Sequence, residues 1–464
     1  MDARIRVLSI QAKNIKNLKN GKITFETEKD VLKGKFKPTH SDIIGLYGPN
    51  GTSKTTFIDS VMILKKIFSS ADFSDDLIHY MTIDKTEMFL SIKVLYLKDN
   101  LLPFIYEYNV SLKKKDKNVY IAKEVLNVKK YDSENNKFLK QSTAISVDFE
   151  DNNTKTFIGT DEVYKQLTEN NSDKIGELLT LKGMMFQAKK SLIFSKDFIK
   201  YAVKEKKIIE TIDFIIHMVL YSDYFVNVFD NKTISKIAAI DTIPFHYFEN
   251  NKDGLGRLDG TLSLFDDGEM YEKYVDHILK FIKQINDIIC TIIPNMEIKL
   301  DIFSKSLDKD NEHVIKYCLK SVKNGFDIPL RYESDGIKKI ISMLSSYILA
   351  FNQPYSFLAI DELDSGIFEF LLGVLLSVFK EDGRGQLLFT SHNLRALEVI
   401  KDNILFTTND ENDRFQNMKY INETNNLRMK YIKEIYLNNE LFSPNIDSAN
   451  ISEALLKARY SKNG

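Results

Sequence analysis

The sequence predicts an α/β protein, and three stretches of the 464-residue chain carry this prediction. The apolar run IIGLY, at 43–47, leads into a glycine-bearing loop, after which apolar residues recur at helical spacing. Residues 86–150 consist of short apolar runs separated by polar turns, which is typical of strands. SFLAIDELD, at 356–364, reads as an apolar strand that ends in acidic residues. Strands interleaved with helices in this way indicate an α/β fold.

Composition and charge exclude several classes of protein. Lys and Arg total 64 against 65 Asp and Glu, so net charge gives no signal for nucleic acid or membrane. Cys290 and Cys318, with seven histidines, leave no room for a Cys/His zinc framework, and so few cysteines fit a reducing compartment. The N-terminus lacks the apolar segment of a signal peptide, and the run at 370–379 is half a membrane span. We therefore expect a cytoplasmic protein.

Residues 1–155 are predicted to form the N-terminal part of the fold. RIRVLSI, at 4–10, alternates like a strand, and 43–47 predicts a second strand that enters the loop. The following apolar residues have helical spacing: Phe57, Ile58, Val61, Leu64 and Phe68. Strand, glycine loop and helix in this order direct backbone N–H groups and a helix N-terminus towards one point.

Residues 156–300 are predicted to form a compact helical insertion, and 301–464 the C-terminal part of the fold. Phe198 to Phe229 is mostly apolar at helical spacing. A second helical face comprises Met270, Tyr274, Ile278, Ile282, Ile285 and Ile289. The glycine-bearing stretch at 250–260 separates the two, and the heptads are too short for a coiled-coil arm.

The loop after the second strand, GPNGTSKTT at 48–56, is close to the phosphate-binding pattern G-x-x-x-x-G-K-[ST]. Lys54 stands where the pattern has the β/γ-phosphate ligand, and Thr55 where it has the Mg²⁺ ligand. Ser53 replaces the last glycine; a positive φ there costs on the order of 1 kcal/mol, while the hydroxyl could donate to a phosphate oxygen. The alternative is a chance run of glycines and a lysine. The predicted nucleotide contacts are Asn50, Gly51, Ser53, Lys54, Thr55 and Thr56.

The acids at the end of the 356–364 strand are candidates for metal binding and catalysis. In an open α/β sheet, a carboxylate at the C-terminal end of a strand points into the ligand crevice. Asp361 would hold Mg²⁺ through water, and Glu362 would polarise the attacking water beside the γ-phosphate. The alternative interpretation is a strand followed by solvated acids.

Two further motifs are weak evidence for a functional site when taken alone and stronger evidence when taken together with the others. GQLLFTSHNL, at 385–394, predicts a strand that ends in His392, a candidate γ-phosphate contact, although lone histidines are usually structural. Ser334 and Gly336 precede an apolar helical face and form a candidate anion site, although a capped amphipathic helix is the commoner interpretation.

The order of the four elements is that of an ABC-type ATPase: phosphate loop, Ser-x-Gly signature, Asp-Glu pair and switch histidine. ESDGIKK, at 333–339, stands where transporters have LSGGQ, about 290 residues after the loop. In both features the chain resembles the SMC/RecF-like ATPases, specifically the compact AAA15 group that includes OLD-family and anti-phage defence ATPases. IRVLSIQAKNIKNLKNGKITF, KEVLNVKKY and KKSLIFSKDF also resemble that group, and the ATPase subunits of PARIS-type defence systems are the most similar within it.

The resemblance implies an ABC-type P-loop NTPase head with a β-rich subdomain and a helical insertion, using ATP and Mg²⁺ with slow turnover. It implies that ATP lies between two heads, because the signature cannot reach the P-loop of its own chain. A homodimer is then the minimum unit and a larger homo-oligomer the expectation for PARIS-like relatives. Only 72 residues follow His392, too few for an appended TOPRIM nuclease. The effector is therefore expected to be encoded separately, as a TOPRIM-type nuclease for example.

The sequence leaves two functions open. The first is an abortive-infection ATPase that senses a phage-encoded trigger and holds, then releases, a toxic effector. The second is a RecF/SMC-like ATPase that acts on DNA in repair. The basic runs at 113–118 and 204–207 could serve DNA, but such runs are usually solvated, and the balanced charge favours protein partners. Gln187 is a candidate Mg²⁺-sensing glutamine, with an exposed helix-surface residue as the commoner interpretation.

Overall fold

A computed structural model gives the fold for most of the chain. It describes residues 3–34, 36, 41–71, 75–151, 163, 167–168, 172–203, 209–230, 242–251, 254–265, 267–408, 410–417, 428–429, 431 and 451–454. The basic run predicted at 204–207 lies outside these residues, as do parts of the regions predicted at 156–300 and 301–464.

The strands in chain order are β1 (Ala3–Ile15), β2 (Leu18–Thr24), β3 (Asp42–Tyr47), β4 (Glu87–Lys98), β5 (Phe104–Lys115), β6 (Asn118–Asp132), β7 (Lys137–Phe138), β8 (Ser142–Asp148), β9 (Val226–Phe229), β10 (Thr242–Asn251), β11 (Gly254–Ser263), β12 (Gly268–Tyr271), β13 (Met296–Leu307), β14 (His313–Lys323), β15 (Phe326–Pro329), β16 (Phe357–Ile360), β17 (Gln386–Thr390), β18 (Ile404–Thr407) and β19 (Phe415–Gln416). The helices are α1 (Glu28–Lys33), α2 (Lys54–Phe68), α3 (Ser172–Gln187), α4 (Lys196–Val203), α5 (Glu210–Tyr224), α6 (Val275–Ile292), α7 (Asp335–Asn352), α8 (Glu369–Asp382) and α9 (Arg395–Ile400).

A mostly parallel sheet holds the loop and the acidic strand end. Its order is β19-β18-β3-β17-β16-β9, and all neighbours run parallel except β18 and β19. Strand β17 therefore lies between β3, which enters the loop, and β16, which precedes Asp361. The carboxyl ends of the three strands meet at one edge, where a ligand crevice is expected.

Alternating side chains of this sheet enter two hydrophobic cores. Ala359 and Leu388 pack in the core that contains α2, whereas Leu358 and Leu387 pack in the core that contains α7 and α8. Helices thus cover both faces, which is why these strands read as continuous apolar runs. The α/β class predicted from the sequence is confirmed.

An antiparallel sheet forms most of the N-terminal region, in the order β2-β1-β4-β5-β6-β7 with β8 beside β6. Alternation predicts strand β1, yet nearly all of its first eight residues are buried. The reason is that Arg6, 1% exposed, donates to Asp42 Oδ2 at 2.6 Å and to the Pro354 carbonyl at 2.6 Å. The Gln386 side chain also pairs with the backbone of Val7, so these contacts join the two sheets.

The region predicted as a compact helical insertion contains both helices and strands where the structure describes it. Helices α3 to α6 confirm its helical content, and Ile278, Ile282, Ile285 and Ile289 form the buried face of α6 as predicted. The other two residues predicted for this face lie before the helix, Met270 in strand β12 and Tyr274 in the short turn that precedes α6. Strand β9, however, pairs with β16 at the edge of the parallel sheet. The stretch 250–260, interpreted from the sequence as a separator, lies instead in strands β10 and β11 where the structure describes it, and these two strands pair antiparallel. The boundaries at 155 and 300 stay a prediction.

Among the described residues, no helix is long and apolar enough to cross a membrane.

Candidate nucleotide-binding site

The predicted phosphate loop lies between β3 and α2, at the carboxyl edge of the parallel sheet. Gly48 has φ +149°, and a Cβ there would lie 1.7 Å from Thr407 Oγ1, so only glycine fits. The hydroxyls of Thr52 and Thr407 are 2.6 Å apart, which fixes the loop against the end of β18. Asn50 and Gly51 are exposed at the outer bend of the loop. The strand, loop and helix predicted here are confirmed.

Ser53 has the left-handed conformation that the sequence pattern assigns to glycine, with φ +78° and ψ +11°. The Ser53 side chain is 4% exposed, and its hydroxyl donates to Asn17 Oδ1 at 3.0 Å. The hydroxyl is thus engaged within the protein, and its predicted bond to a phosphate oxygen stays a prediction.

Lys54 is the first residue of α2 and is buried. Its Nζ donates to the carbonyls of Gly48 and Pro49, both at 2.8 Å, so it lies across the mouth of the loop. Burial lowers the pKa of Lys54 to about 8, although the nearby acids Asp361 and Glu362 favour the charged form. The charged form of a buried ammonium with too few anionic partners is stabilised when a polyanion enters the loop.

Asp361 and Thr55 face each other across the sheet edge. The hydroxyls of Thr55 and Thr390 donate to Asp361 Oδ1 at 3.2 Å and 2.6 Å. Asp361 is fully buried, and its Oδ2 has no hydrogen-bond partner within the part of the chain that the structure describes. A buried, unpaired carboxylate oxygen beside a threonine hydroxyl is a donor set that suits Mg²⁺ completed by water and phosphate oxygens.

Glu362 follows Asp361 in a strained backbone conformation, with φ +47°. Its N–H donates to Thr390 Oγ1 at 2.7 Å, and its carbonyl accepts from Lys339 Nζ at 2.5 Å. Lys339 Nζ also donates to the Ser365 carbonyl at 3.0 Å. The Glu362 backbone is thus held at both its N–H and its carbonyl, while its side chain is partly exposed.

His392 lies just beyond the end of β17, as predicted. The backbone N–H of His392 donates to Asp364 Oδ2 at 3.1 Å, and its side chain is exposed. Desolvation by the surrounding protein, and then the charge of Lys54, lower the pKa of His392. An imidazole kept neutral near Lys54 can accept or donate one hydrogen bond at the crevice.

Ser334 and Gly336 lie at the start of α7, as predicted. Ser334 is the N-cap and accepts from the Ile337 N–H at 3.4 Å. A Cβ on Gly336 would lie 2.0 Å from the Gly366 carbonyl oxygen, so this end of α7 packs backbone to backbone on the loop after Glu362. The signature and the acidic loop of one chain are thus neighbours.

Sequence reasoning missed four residues that organise the site. Asn17 contacts the phosphate loop, Thr390 links Asp361 to Glu362, Lys339 holds the acidic loop, and Thr407 abuts Gly48. Each acts through a contact between distant segments and belongs to no local pattern. Gln187 is the exposed last residue of α3, and its role stays a prediction.

No protein-family model and no curated protein matches the chain. Among solved structures, an SMC head bound to the C-terminal winged-helix domain of ScpA is 12% identical over 89% of this chain and 97% of that one, with a TM-score of 0.41. The recombination mediator RecF of the RecFOR pathway is 12% identical over 89% of this chain and 98% of that one, with a TM-score of 0.34. The SMC head domain from Thermotoga maritima is 13% identical over 89% and 100%, with a TM-score of 0.33. The fold of this chain, described from its own strand order, is α/β: a mostly parallel sheet with helices on both faces carries a glycine-bearing loop between β3 and α2, beside a large antiparallel sheet.

Proposed function

We propose that this chain is an ABC-type ATPase of the SMC/RecF-related kind, which binds ATP with Mg²⁺ and hydrolyses it slowly. The observation that carries the proposal is the meeting of Lys54 and Thr55 with Asp361 at one sheet edge, more than 300 residues apart in sequence. Motifs that arose by chance in the sequence would not be expected to lie together in the folded chain. The chemistry is positioning and charge neutralisation, which these groups supply.

Each residue has one role in this proposal. The backbone N–H groups of the loop and the N-terminus of α2 hold the phosphates, and Lys54 adds a positive charge. Thr55 and Asp361 would hold Mg²⁺, which neutralises developing charge on the phosphates. Glu362 orients the attacking water and accepts its proton, and His392 contacts the γ-phosphate.

Ser334 and Gly336 are proposed to complete the site of a second copy of the chain. In this chain Gly336 packs on the loop after Glu362, and Ser334 is the N-cap of α7. A helix N-terminus with a serine N-cap presents unpaired N–H groups that bind anions. ATP would then be bound between two copies, so that binding drives association and hydrolysis releases it.

The biological role that we favour is a cytoplasmic anti-phage defence ATPase. It would sense a phage-encoded trigger and release a separately encoded effector, with a TOPRIM-type nuclease as the leading candidate. The resemblance in the motifs and the net charge of −1 support protein partners over nucleic acid. A DNA-transacting ATPase is the second candidate, favoured by Lys114, Lys115 and Lys117, which are exposed at the tip of the β5–β6 hairpin.

Two variants test the ATPase. Lys54→Ala should lose the stabilisation that ATP gives the wild type, about 2.7 kcal/mol at a hundred times the dissociation constant. Glu362→Gln should bind ATP but stall, because it keeps the shape of the side chain and removes the carboxylate. An equal ATP-dependent rise in melting temperature in Lys54→Ala, or normal turnover in Glu362→Gln, would refute these assignments.

The two biological roles are separated by a second experiment. A defence ATPase should protect cells from phage when expressed with its genomic neighbour, and both variants should abolish protection. A DNA-transacting ATPase should bind duplex DNA, seen as retarded migration of the DNA in a gel. Its affinity should fall steeply with salt concentration, because phosphate contacts release counterions. Nuclease activity of the isolated chain that survives Lys54→Ala would contradict the defence proposal.

A further inference from the structure

We propose that Asn17 is a positioning residue of the phosphate loop. It holds Ser53 in the left-handed conformation that glycine would adopt there, and so presets the loop for a triphosphate. The inference rests on the nucleotide site proposed for this chain. Asn17 is outside the loop in sequence, in the turn between β1 and β2.

The Asn17 side chain makes three contacts with the loop and the first turn of α2. Its Oδ1 accepts from the hydroxyls of Ser53 and Thr56, both at 3.0 Å, and its Nδ2 donates to the Gly51 carbonyl. Because a carbonyl can only accept, the reversed amide would place two acceptors against each other at Gly51. This orientation therefore satisfies all three contacts, and one side chain spans the loop from Gly51 to Thr56.

The contact explains how serine can occupy the glycine position. A residue with a Cβ disfavours positive φ, whereas glycine does not. In the conformation with φ +78°, the Ser53 hydroxyl reaches Asn17, and that hydrogen bond offsets the strain. A loop with glycine at this position has no hydroxyl to hold and less strain to offset, so it depends less on the asparagine.

The turn that carries Asn17 is itself held firmly. Ile15 and Leu18 pair with each other and are fully buried, so only Lys16 and Asn17 form the turn. The Lys16 N–H donates to the Tyr80 carbonyl at 2.6 Å, and Lys16 Nζ donates to Asp59 of α2 at 2.6 Å. The turn is thus fixed to α2 on one side and braces the phosphate loop on the other.

A double-mutant cycle on ATP affinity tests the inference. We expect Asn17→Ala to weaken ATP binding about tenfold in the natural chain but about threefold or less in the Ser53→Gly background. Ser53→Gly alone should bind ATP within a few-fold of the wild type. The turnover number at saturating ATP should change less than the affinity, because the loop acts on binding.

Asn20→Ala is the matched control. Asn20 lies on the same hairpin, donates to the Asn412 carbonyl at 2.7 Å and accepts from Gln11 at 2.9 Å, and neither hydrogen bond involves the phosphate loop. Its removal should change ATP affinity less than twofold. If Asn17→Ala fails to fold, Ser53→Ala replaces it: this variant keeps the Cβ and loses the hydrogen bond, so it should bind ATP more weakly than Ser53→Gly.

The outcomes separate the inference from the function on which it rests. Normal ATP affinity in Asn17→Ala, or equal effects of this change in the natural chain and in the Ser53→Gly background, overturns the inference alone. Equal affinities of Ser53→Ala and Ser53→Gly also overturn it. A wild-type chain that binds no ATP, as shown by an unchanged melting temperature, overturns the proposed function and the inference together.

Discussion

Replacing Gly336 with alanine should destabilise the chain through a single backbone contact. The added Cβ would lie 2.0 Å from the Gly366 carbonyl oxygen, whereas real Cβ contacts essentially never fall below 3.0 Å. The two backbones must therefore separate by about 1 Å, and overpacking of this kind typically costs about 1–3 kcal/mol.

The loop around Gly366 has little freedom to move away. Gly366 itself has φ +73°, and Lys339 holds the carbonyls of Glu362 and Ser365 just before it. The cost should therefore lie near the top of that range, at about 3 kcal/mol. Alanine regains up to about 1 kcal/mol of helix propensity at the start of α7. The net loss in the free energy of unfolding is thus about 2 kcal/mol.

The measurement is urea unfolding of Gly336→Ala beside Gly183→Ala. Gly183 lies in α3, and a Cβ there would have no neighbour within 4 Å. The control should gain about 0.5–1 kcal/mol, because alanine is the better helix former. The two glycine-to-alanine changes should thus shift the unfolding midpoint in opposite directions. A Gly336→Ala chain as stable as the wild type would refute the close packing of α7 on the acidic loop.

Three further predictions concern charges. Lys54 has a pKa lowered to about 8 by burial, and a bound triphosphate restores its charge, so binding takes up a proton and ATP affinity should fall about tenfold from pH 7 to pH 9. Lys54→Arg should lack this fall, and a flat profile in the wild type would contradict the assignment. Lys339→Met should lower the turnover number about tenfold at unchanged ATP affinity, because it frees the backbone of Glu362; a loss of affinity alone would point to a different role. Arg6→Met should lower the free energy of unfolding by about 3–5 kcal/mol, because it removes the buried cation that pairs with Asp42 and Glu26. Arg4→Met removes an exposed pair with Asp99 and should lower it by less than about 1 kcal/mol. Similar losses in the two variants would contradict this account.

The features that the sequence predicts well are those that depend on neighbouring residues. Strand β3, the loop and helix α2 follow one another without interruption, so their apolar periods and glycines are visible together. Asp361 can be placed because a carboxylate directly after an apolar run must lie at a strand end. The Ser334 cap precedes its helix by one residue and is predictable for the same reason.

The features that sequence reasoning misses depend on residues far apart in the chain. Asn17 and Ser53 are separated by strand β2, helix α1 and strand β3, and the hydrogen bond between them has no trace in either local pattern. Strand β9 is only four residues long, and pairing with β16 rather than its own periodicity makes it a strand. The β10–β11 hairpin escapes prediction because polar and glycine residues in strands resemble a linker.

The position of β17 between β3 and β16 has a consequence for synthesis on the ribosome. Strand β3 is complete at residue 47, but its partners β17 and β18 end at residues 390 and 407. At about 5–20 residues per second, translation leaves β3 without its sheet for roughly 20–70 s. During that time the apolar side chains of β3 are exposed to solvent unless another protein or segment shields them; those buried in the folded chain are Ile43, Ile44, Leu46 and Tyr47. A chain that stops short of β17 would carry a complete phosphate loop with no sheet beneath it, and added ATP would not help it to fold.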